Sequence, residues 1–119
     1  MLVGYRKDYE KIVMGLLSLV PELRENNRFN DVLEDAIAQD YPVYLWKDSE
    51  DNHFIAVVIV EEGEDYLLLR HISFSPSERS GKNVFALLTG LAQQYPDKRL
   101  MGTMETQSLI TTWERNNER

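Results

Sequence analysis

The chain has 119 residues, 43% of them hydrophobic, which is enough to form one domain with a single core over residues 1–119. It has no cysteine, which excludes disulfides, thiolate metal sites and a cysteine nucleophile. No apolar run approaches the roughly 20 residues of a membrane helix, and the first residues lack the apolar core of a signal peptide. We therefore expect a cytoplasmic protein with no membrane partner.

The net charge of −7 is unevenly distributed along the chain. Residues 31–65 contain eleven acidic residues and a single base, Lys47. This acidic middle argues against a nucleic-acid partner. It would suit a cationic substrate, although an acidic surface that keeps the protein in solution is the simpler alternative.

The first half of the chain predicts a strand, two helices and a second strand. Residues 1–6 form a short strand, and apolar residues at helical spacing over 9–20 predict a helix that Pro21 ends. The same spacing over 29–37 predicts a second helix. The Tyr41-Pro42 pair then breaks this helix, and residues 43–46 resume as a strand.

The second half alternates strands with turns and two more helices. Strands are predicted at 53–60 and 66–74, separated by an acidic turn over 61–65. A helix reaches Tyr95, a strand follows at 98–103, and Thr106 is a candidate cap for a last helix. Three strands joined by short turns must be antiparallel, whereas the strand–helix–strand unit over 66–103 should be parallel. The predicted fold class is α/β (α+β), a mixed and mostly antiparallel sheet with helices on both faces.

The loop over residues 75–83 is the most informative segment. It leads from a strand into a helix through Ser80, Gly81, Lys82 and Asn83, which leaves several backbone N–H groups without helical partners. Those groups, the positive end of the helix dipole and the nearby Arg79 favour an anion, and a phosphorylated ligand is the natural candidate. The alternative is an ordinary serine-capped junction that binds nothing.

The segment ISFSPSERSGKNVFALL resembles the acyl-coenzyme A signature of the GCN5-related N-acetyltransferase (GNAT) superfamily, with Pro76, Arg79, Leu87 and Leu88 in register. The segments at 5–18, 44–51, 70–79 and 111–116 resemble the small acetyltransferase-like proteins encoded in riboflavin operons of Gram-positive bacteria. The resemblance runs nearly end to end. It implies acetyl-CoA as cofactor, a small-molecule or peptide amine as acceptor, and a link to riboflavin metabolism.

The resemblance also implies which residues hold the cofactor. Backbone N–H groups at the end of the 66–74 strand would serve the thioester oxygen, and this strand should splay from the strand at 98–103 to admit the pantetheine arm. Lys82 and Val84 occupy places where the family has small residues, usually glycine. The implied cofactor-binding residues are Ile72, Ser73, Phe74, Arg79, Ser80, Gly81, Lys82, Asn83 and Val84.

Two residues are candidates for proton transfer from the amine. His71 lies in the relevant strand and titrates in the useful range, although alternation would put it on the face opposite Arg70 and Ile72. Glu105 sits where the last strand meets the last helix, although a carboxylate there also compensates the helix dipole. The position of the family's tyrosine acid is taken by Trp113, which has no acidic proton to give.

Two interpretations of function remain open at this point. The first is an acyl-CoA dependent N-acyltransferase, and the second is a weakly active or inactive member of the same fold that binds a ligand or a protein. A homodimer is also expected, because the chain stops soon after its last helix and the strand at 98–103 should be an open sheet edge.

Overall fold

The computed structural model describes residues 1–25, 28–48 and 50–117. Their centre is a five-stranded sheet in which the strands lie side by side in chain order. The first four strands are antiparallel to their neighbours, and the last pair is parallel, which confirms the predicted mixed sheet. The strands are β1 Leu2–Gly4, β2 Val43–Lys47, β3 Phe54–Glu62, β4 Tyr66–Phe74 and β5 Arg99–Gly102.

Helices cover both faces of this sheet. They are α1 Glu10–Leu17, α2 Pro21–Glu25, α3 Phe29–Ala38, α4 Gly81–Gln94 and α5 Gln107–Asn117. The prediction that Pro21 ends the first helix is wrong: α1 ends at Leu17, and Pro21 opens α2, where its fixed φ suits a first turn. Within the described ranges, no helix combines the length and apolar character needed to cross a membrane.

The sheet separates two apolar clusters. On one face, buried residues of α1, α2 and α3 pack against Val57 and Ile59. On the other face, residues of α4 and α5 pack against Ala56, Val58 and Val60. Because β3 is buried on both faces, its sequence is a continuous apolar run rather than an alternating pattern.

A β-bulge interrupts the pairing of β4 with β3. Val60 pairs with Leu69 and Ile59 pairs with His71, so one step along β3 matches two steps along β4. Arg70 is therefore the extra residue. A bulge of this kind reverses the alternation of side chains beyond it. Before Arg70 the odd-numbered residues of β4 face one side of the sheet, and after it they face the other side.

The pairing of β4 with β5 stops halfway along β4. It runs from Tyr66, opposite Arg99, to Leu69, opposite Gly102. At the fork, the buried hydroxyl of Thr106 donates to the carbonyl of Leu69 at 2.7 Å and accepts the N–H of Thr103 at 2.8 Å. Thr106 was predicted to cap α5, but its hydroxyl is instead used to hold the two strands at their point of separation.

Candidate functional site

A cavity of about 970 Å³ opens where β4 and β5 separate. It is lined from both sides of the sheet, so it runs through the gap between the two strands rather than lying on one face. The strand residues in its wall include Arg70, His71, Ile72 and Phe74. The surrounding elements contribute Val20, Pro21, Glu22, Leu23, Arg28, Asp31, Val32, Asp35, Ala36, Tyr41, Ile59, Arg79, Val84, Glu105, Thr106 and Leu109.

The second half of β4 presents an unpaired backbone edge to this cavity. The N–H of Ser75 donates to the carbonyl of Ile55 in β3 at 2.9 Å, so Ser75 faces β3. Because backbone groups alternate in direction along a strand, those of Phe74 and Ile72 face the other way, into the gap left by β5. The separation expected from the sequence is therefore present, and it exposes hydrogen-bonding groups at the cavity floor.

His71 faces the side of the sheet covered by α1 and α3. The buried hydroxyl of Ser73 donates to the carbonyl of Leu16 in α1 at 2.6 Å, which fixes the face of Ser73 and, two residues earlier, that of His71. Arg70 points to the same side, because its guanidinium donates to Glu61. Glu61 lies two residues after Ile59 in β3 and therefore on the same face of the sheet, the one covered by α1 and α3. This corrects the prediction that His71 and Arg70 lie on opposite faces: the bulge places them together.

The environment of His71 favours the neutral imidazole. Burial is the main cause that lowers the pKa of His71, and the positive charges of Arg70 and Arg28 lower it further. The carboxylate of Glu105 acts in the opposite direction but does not cancel these effects. At neutral pH the ring therefore has a free lone pair that can accept a proton.

Glu105 is exposed at the mouth of the cavity. Its own backbone N–H and the hydroxyl of Thr103, which donates at 3.0 Å, lower the pKa of this carboxyl. A carboxylate held ionised in this way is a weak base near neutral pH. It supplies a negative charge close to His71. The described residues contain no group of three or more side chains suited to bind a metal ion.

The start of α4 combines occupied and free hydrogen-bond donors. The hydroxyl of Ser80 accepts the N–H of Asn83 at 3.2 Å, and the amide side chain of Asn83 donates to the carbonyl of Glu78 at 2.7 Å. Among the described residues, no acceptor pairs with the N–H groups of Gly81 and Lys82. These two donors are therefore available to an anion.

The structure brings most of the predicted site residues together, but not all. Ser73 is the exception among the strand residues, because its side chain is buried under α1 and its backbone faces β3. Ser80, Gly81, Lys82 and Asn83 form the start of α4 beside the cavity. The predicted residues that line the cavity are His71, Ile72, Phe74, Arg79, Val84 and Glu105.

Several lining residues had no signal in the sequence. Tyr41, Asp31 and Asp35 reach the cavity from α3 and the loop after it. The two aspartates lie four residues apart and so share one side of α3, a pattern that is equally typical of a solvated helix face. Only the position of α3 beside the cavity in the folded chain distinguishes the two.

Trp113, which takes the position of the tyrosine acid in the resemblance, does not line the cavity. Trp113 packs against the cluster under α4, and its indole N–H donates to the hydroxyl of Thr89 at 3.1 Å. The α5 residue that lines the cavity is Leu109, one turn earlier. Within the described part of α5, no ionisable side chain lines the cavity.

The chain is 34% identical over 112 residues to an uncharacterised N-acetyltransferase encoded in the lysA 3′ region of Bacillus methanolicus, covering 92% of both chains. No model of a known protein family matches it.

Two solved structures share the fold. A probable acetyltransferase superposes with a TM-score of 0.71 at 12% identity, covering all of this chain and 89% of the other. The aminoglycoside 6′-N-acetyltransferase AAC(6′)-Ig of Acinetobacter haemolyticus gives 0.65 at 14% identity, covering 98% and 88%. With the sequence relative, these likenesses place the chain in one family: it belongs to the GCN5-related N-acetyltransferase (GNAT) superfamily.

Proposed function

We propose that the protein is an N-acetyltransferase that takes an acetyl group from acetyl-CoA and transfers it to the amine of a small molecule or peptide. The observation that carries the proposal is the unpaired edge of β4 at Ile72 and Phe74, which lies in a cavity open to both faces of the sheet. A thioester arm can add to this edge as a short extra strand, while the amine approaches from the other face.

The residues around the cavity fit acetyl-CoA. The free N–H groups of Gly81 and Lys82, with the guanidinium of Arg79, form an anion site for the pyrophosphate. Gly81 has open space where a Cβ would stand, so a ligand can approach the backbone closely there. Val84 narrows the cavity beside this site.

Acetyl-CoA supplies an acetyl group activated as a thioester. The protein would stabilise the transition state: backbone N–H groups of the β4 edge donate to the thioester oxygen as negative charge develops on it. His71, neutral and beside this edge, accepts the proton that the amine loses as its nitrogen bonds the carbonyl carbon. The C–S bond then breaks, the amide forms, and coenzyme A leaves as a thiolate that takes a proton from solvent. Asp31 and Asp35 in the cavity wall favour a substrate that carries a positive charge in addition to the neutral amine that reacts.

A second candidate is a weakly active or inactive member that binds acetyl-CoA or a partner without efficient turnover. The indole of Trp113, bonded to Thr89, favours it. In the described part of α5 no ionisable side chain lines the cavity, so none lies where it could protonate the departing thiolate. A thiol with a pKa near 8.5 is a fair leaving group, so slow turnover remains compatible with this arrangement. The resemblance to RibT-type proteins, the small acetyltransferase-like proteins encoded in riboflavin operons, would connect either function to riboflavin metabolism.

Calorimetric titration with acetyl-CoA tests the site. The Arg79→Ala/Lys82→Ala double variant should bind at least about tenfold more weakly, because two charge-assisted contacts are lost. Lys11→Ala/Arg99→Ala removes two exposed cations outside the cavity and should bind as the parent does. Equal affinity of both double variants would place the ligand elsewhere. Thiol release with a panel of amines then separates the two candidates, since binding without turnover supports the second.

A further inference from the structure

Arg70 is the extra residue of the bulge, and two contacts determine where its side chain lies. Its guanidinium donates to Glu61 at 2.7 Å, and both side chains are about one third exposed. The same guanidinium lies 4.9 Å from the centre of the Tyr41 ring, within the range of a cation–π contact. An ion pair on one side and an aromatic ring on the other leave this arginine little freedom.

The end of α3 fixes Tyr41 in turn. The N–H of Tyr41 donates to the carbonyl of Ala36 at 2.8 Å, and the N–H of Asp40 donates to that of Ile37 at 3.2 Å. With Asp40 in the left-handed conformation at φ 58°, these two bonds form a Schellman motif. The motif turns the chain back toward the sheet and brings the Tyr41 ring over Arg70.

We propose that Arg70 is a positioning residue: held by Glu61 and Tyr41 at the bulge, it fixes the next residue, His71, on the cavity wall with the β4 edge beside it. The proposal rests on the proposed function, because it gives His71 its role as base. It deepens that function by adding a residue that acts through the base rather than on the substrate.

Two effects follow from this arrangement. A pinned Arg70 holds the bulge, and the bulge sets which face His71 occupies and which backbone groups of β4 reach the gap. Its positive charge also opposes protonation of the neighbouring imidazole. The other charged groups around His71 are Arg28 beside α3 and Glu105 before α5, while Glu22, Asp31 and Asp35 line the same cavity from α2 and α3.

The test combines a titration of His71 by NMR with the pH dependence of thiol release. In Arg70→Gln, His71 should titrate at a higher pH than in the parent. The acid limb of the rate profile should move the same way, and kcat at neutral pH should fall about tenfold with little change in the KM for acetyl-CoA. Arg70→Lys, which keeps the charge, should restore the titration midpoint. Arg99→Gln removes an exposed arginine outside the cavity and should change neither.

The Glu61→Gln/Arg70→Gln variant guards against misfolding, since it removes both charges of the pair and leaves no unpaired carboxylate. It should show the same shift of His71. An unchanged His71 midpoint in the folded Arg70→Gln and double variants would overturn the proposal, as would an equal loss of rate at every pH. If no amine is acetylated at all, the proposed function fails, while the NMR midpoint still decides whether Arg70 acts on His71.

Discussion

The two halves of β4 belong to one strand but have different surroundings. Residues 67–69 pair with β3 on one side and β5 on the other, and Leu67 and Leu69 have no exposed surface. Beyond the bulge at Arg70, residues 71–74 pair with β3 alone, and Arg70, His71 and Ile72 are only half-buried. The first half holds the sheet together. The second half has no strand paired to it on the β5 side, so its backbone donors and the imidazole of His71 face a cavity.

Two local features separate these halves. The bulge at Arg70 changes the alternation of side chains, and the hydroxyl of Thr106 satisfies the Leu69 carbonyl where β5 departs. Without that hydroxyl, the carbonyl would be buried with no partner, at a cost of about 1–3 kcal/mol. Contacts within the sheet and the start of α5 therefore stabilise the fork.

Replacing His71, in the half of β4 that lacks β5 as a neighbour, should give the largest effect: a large loss of kcat with little change in stability. In His71→Gln, kcat should fall about 10²- to 10⁴-fold, because the amine loses its proton acceptor, while the free energy of unfolding changes by less than about 1 kcal/mol. Because the pKa of His71 is lowered, the parent should lose activity only when the pH falls below the ordinary histidine range. Thiol-release kinetics and urea unfolding measure the two effects.

The control for this variant is His53→Gln, which changes an exposed histidine before β3 that does not line the cavity. Its kinetics should match those of the parent. Full activity of His71→Gln would remove His71 from the mechanism and leave the amine to lose its proton to water or to another group.

Replacing Leu67, in the half of β4 paired on both sides, should have the opposite effect: a loss of stability with unchanged affinity for acetyl-CoA. Leu67 is fully buried in the paired half, so Leu67→Ala should lower the free energy of unfolding by about 2–5 kcal/mol through lost burial and the cavity left behind. The folded fraction should retain the parent's affinity for acetyl-CoA, as measured by calorimetry below the unfolding midpoint. A selective loss of affinity without a loss of stability would mean that the two halves are not separable.

Much of the fold could be predicted from the sequence, because local sequence patterns determine most of its strands, turns and helices. The apolar run of β3, the acidic turns and the periodic face of α4 each fix one element, and short turns dictate antiparallel pairing. The exception at Pro21 has a local cause, since proline suits both the residue after a helix and the first turn of another. The pattern does not say which applies.

The geometry of the site could not be predicted in full from the sequence, because it depends on a shift of register between β3 and β4. Nothing in the residues 69–71 signals a bulge, so strict alternation put His71 and Arg70 on opposite faces. The partners of Arg70 lie nine and 29 positions away in the chain, at Glu61 and Tyr41, and only tertiary packing brings them together. The backbone donors at the start of α4 could be predicted from the sequence, because they follow from the start of a single helix.

Amide hydrogen exchange along β4, with and without acetyl-CoA, tests the central claim most directly. In the free protein the amides of Ile72 and Phe74 should exchange faster than those of Leu67 and Leu68, because only the latter lie in the half paired on both sides. Saturating acetyl-CoA should slow exchange at Ile72 and Phe74 and leave the paired half unchanged. Exchange at these two amides that stays the same when acetyl-CoA is bound would contradict the account, because the open edge would then not be the binding site.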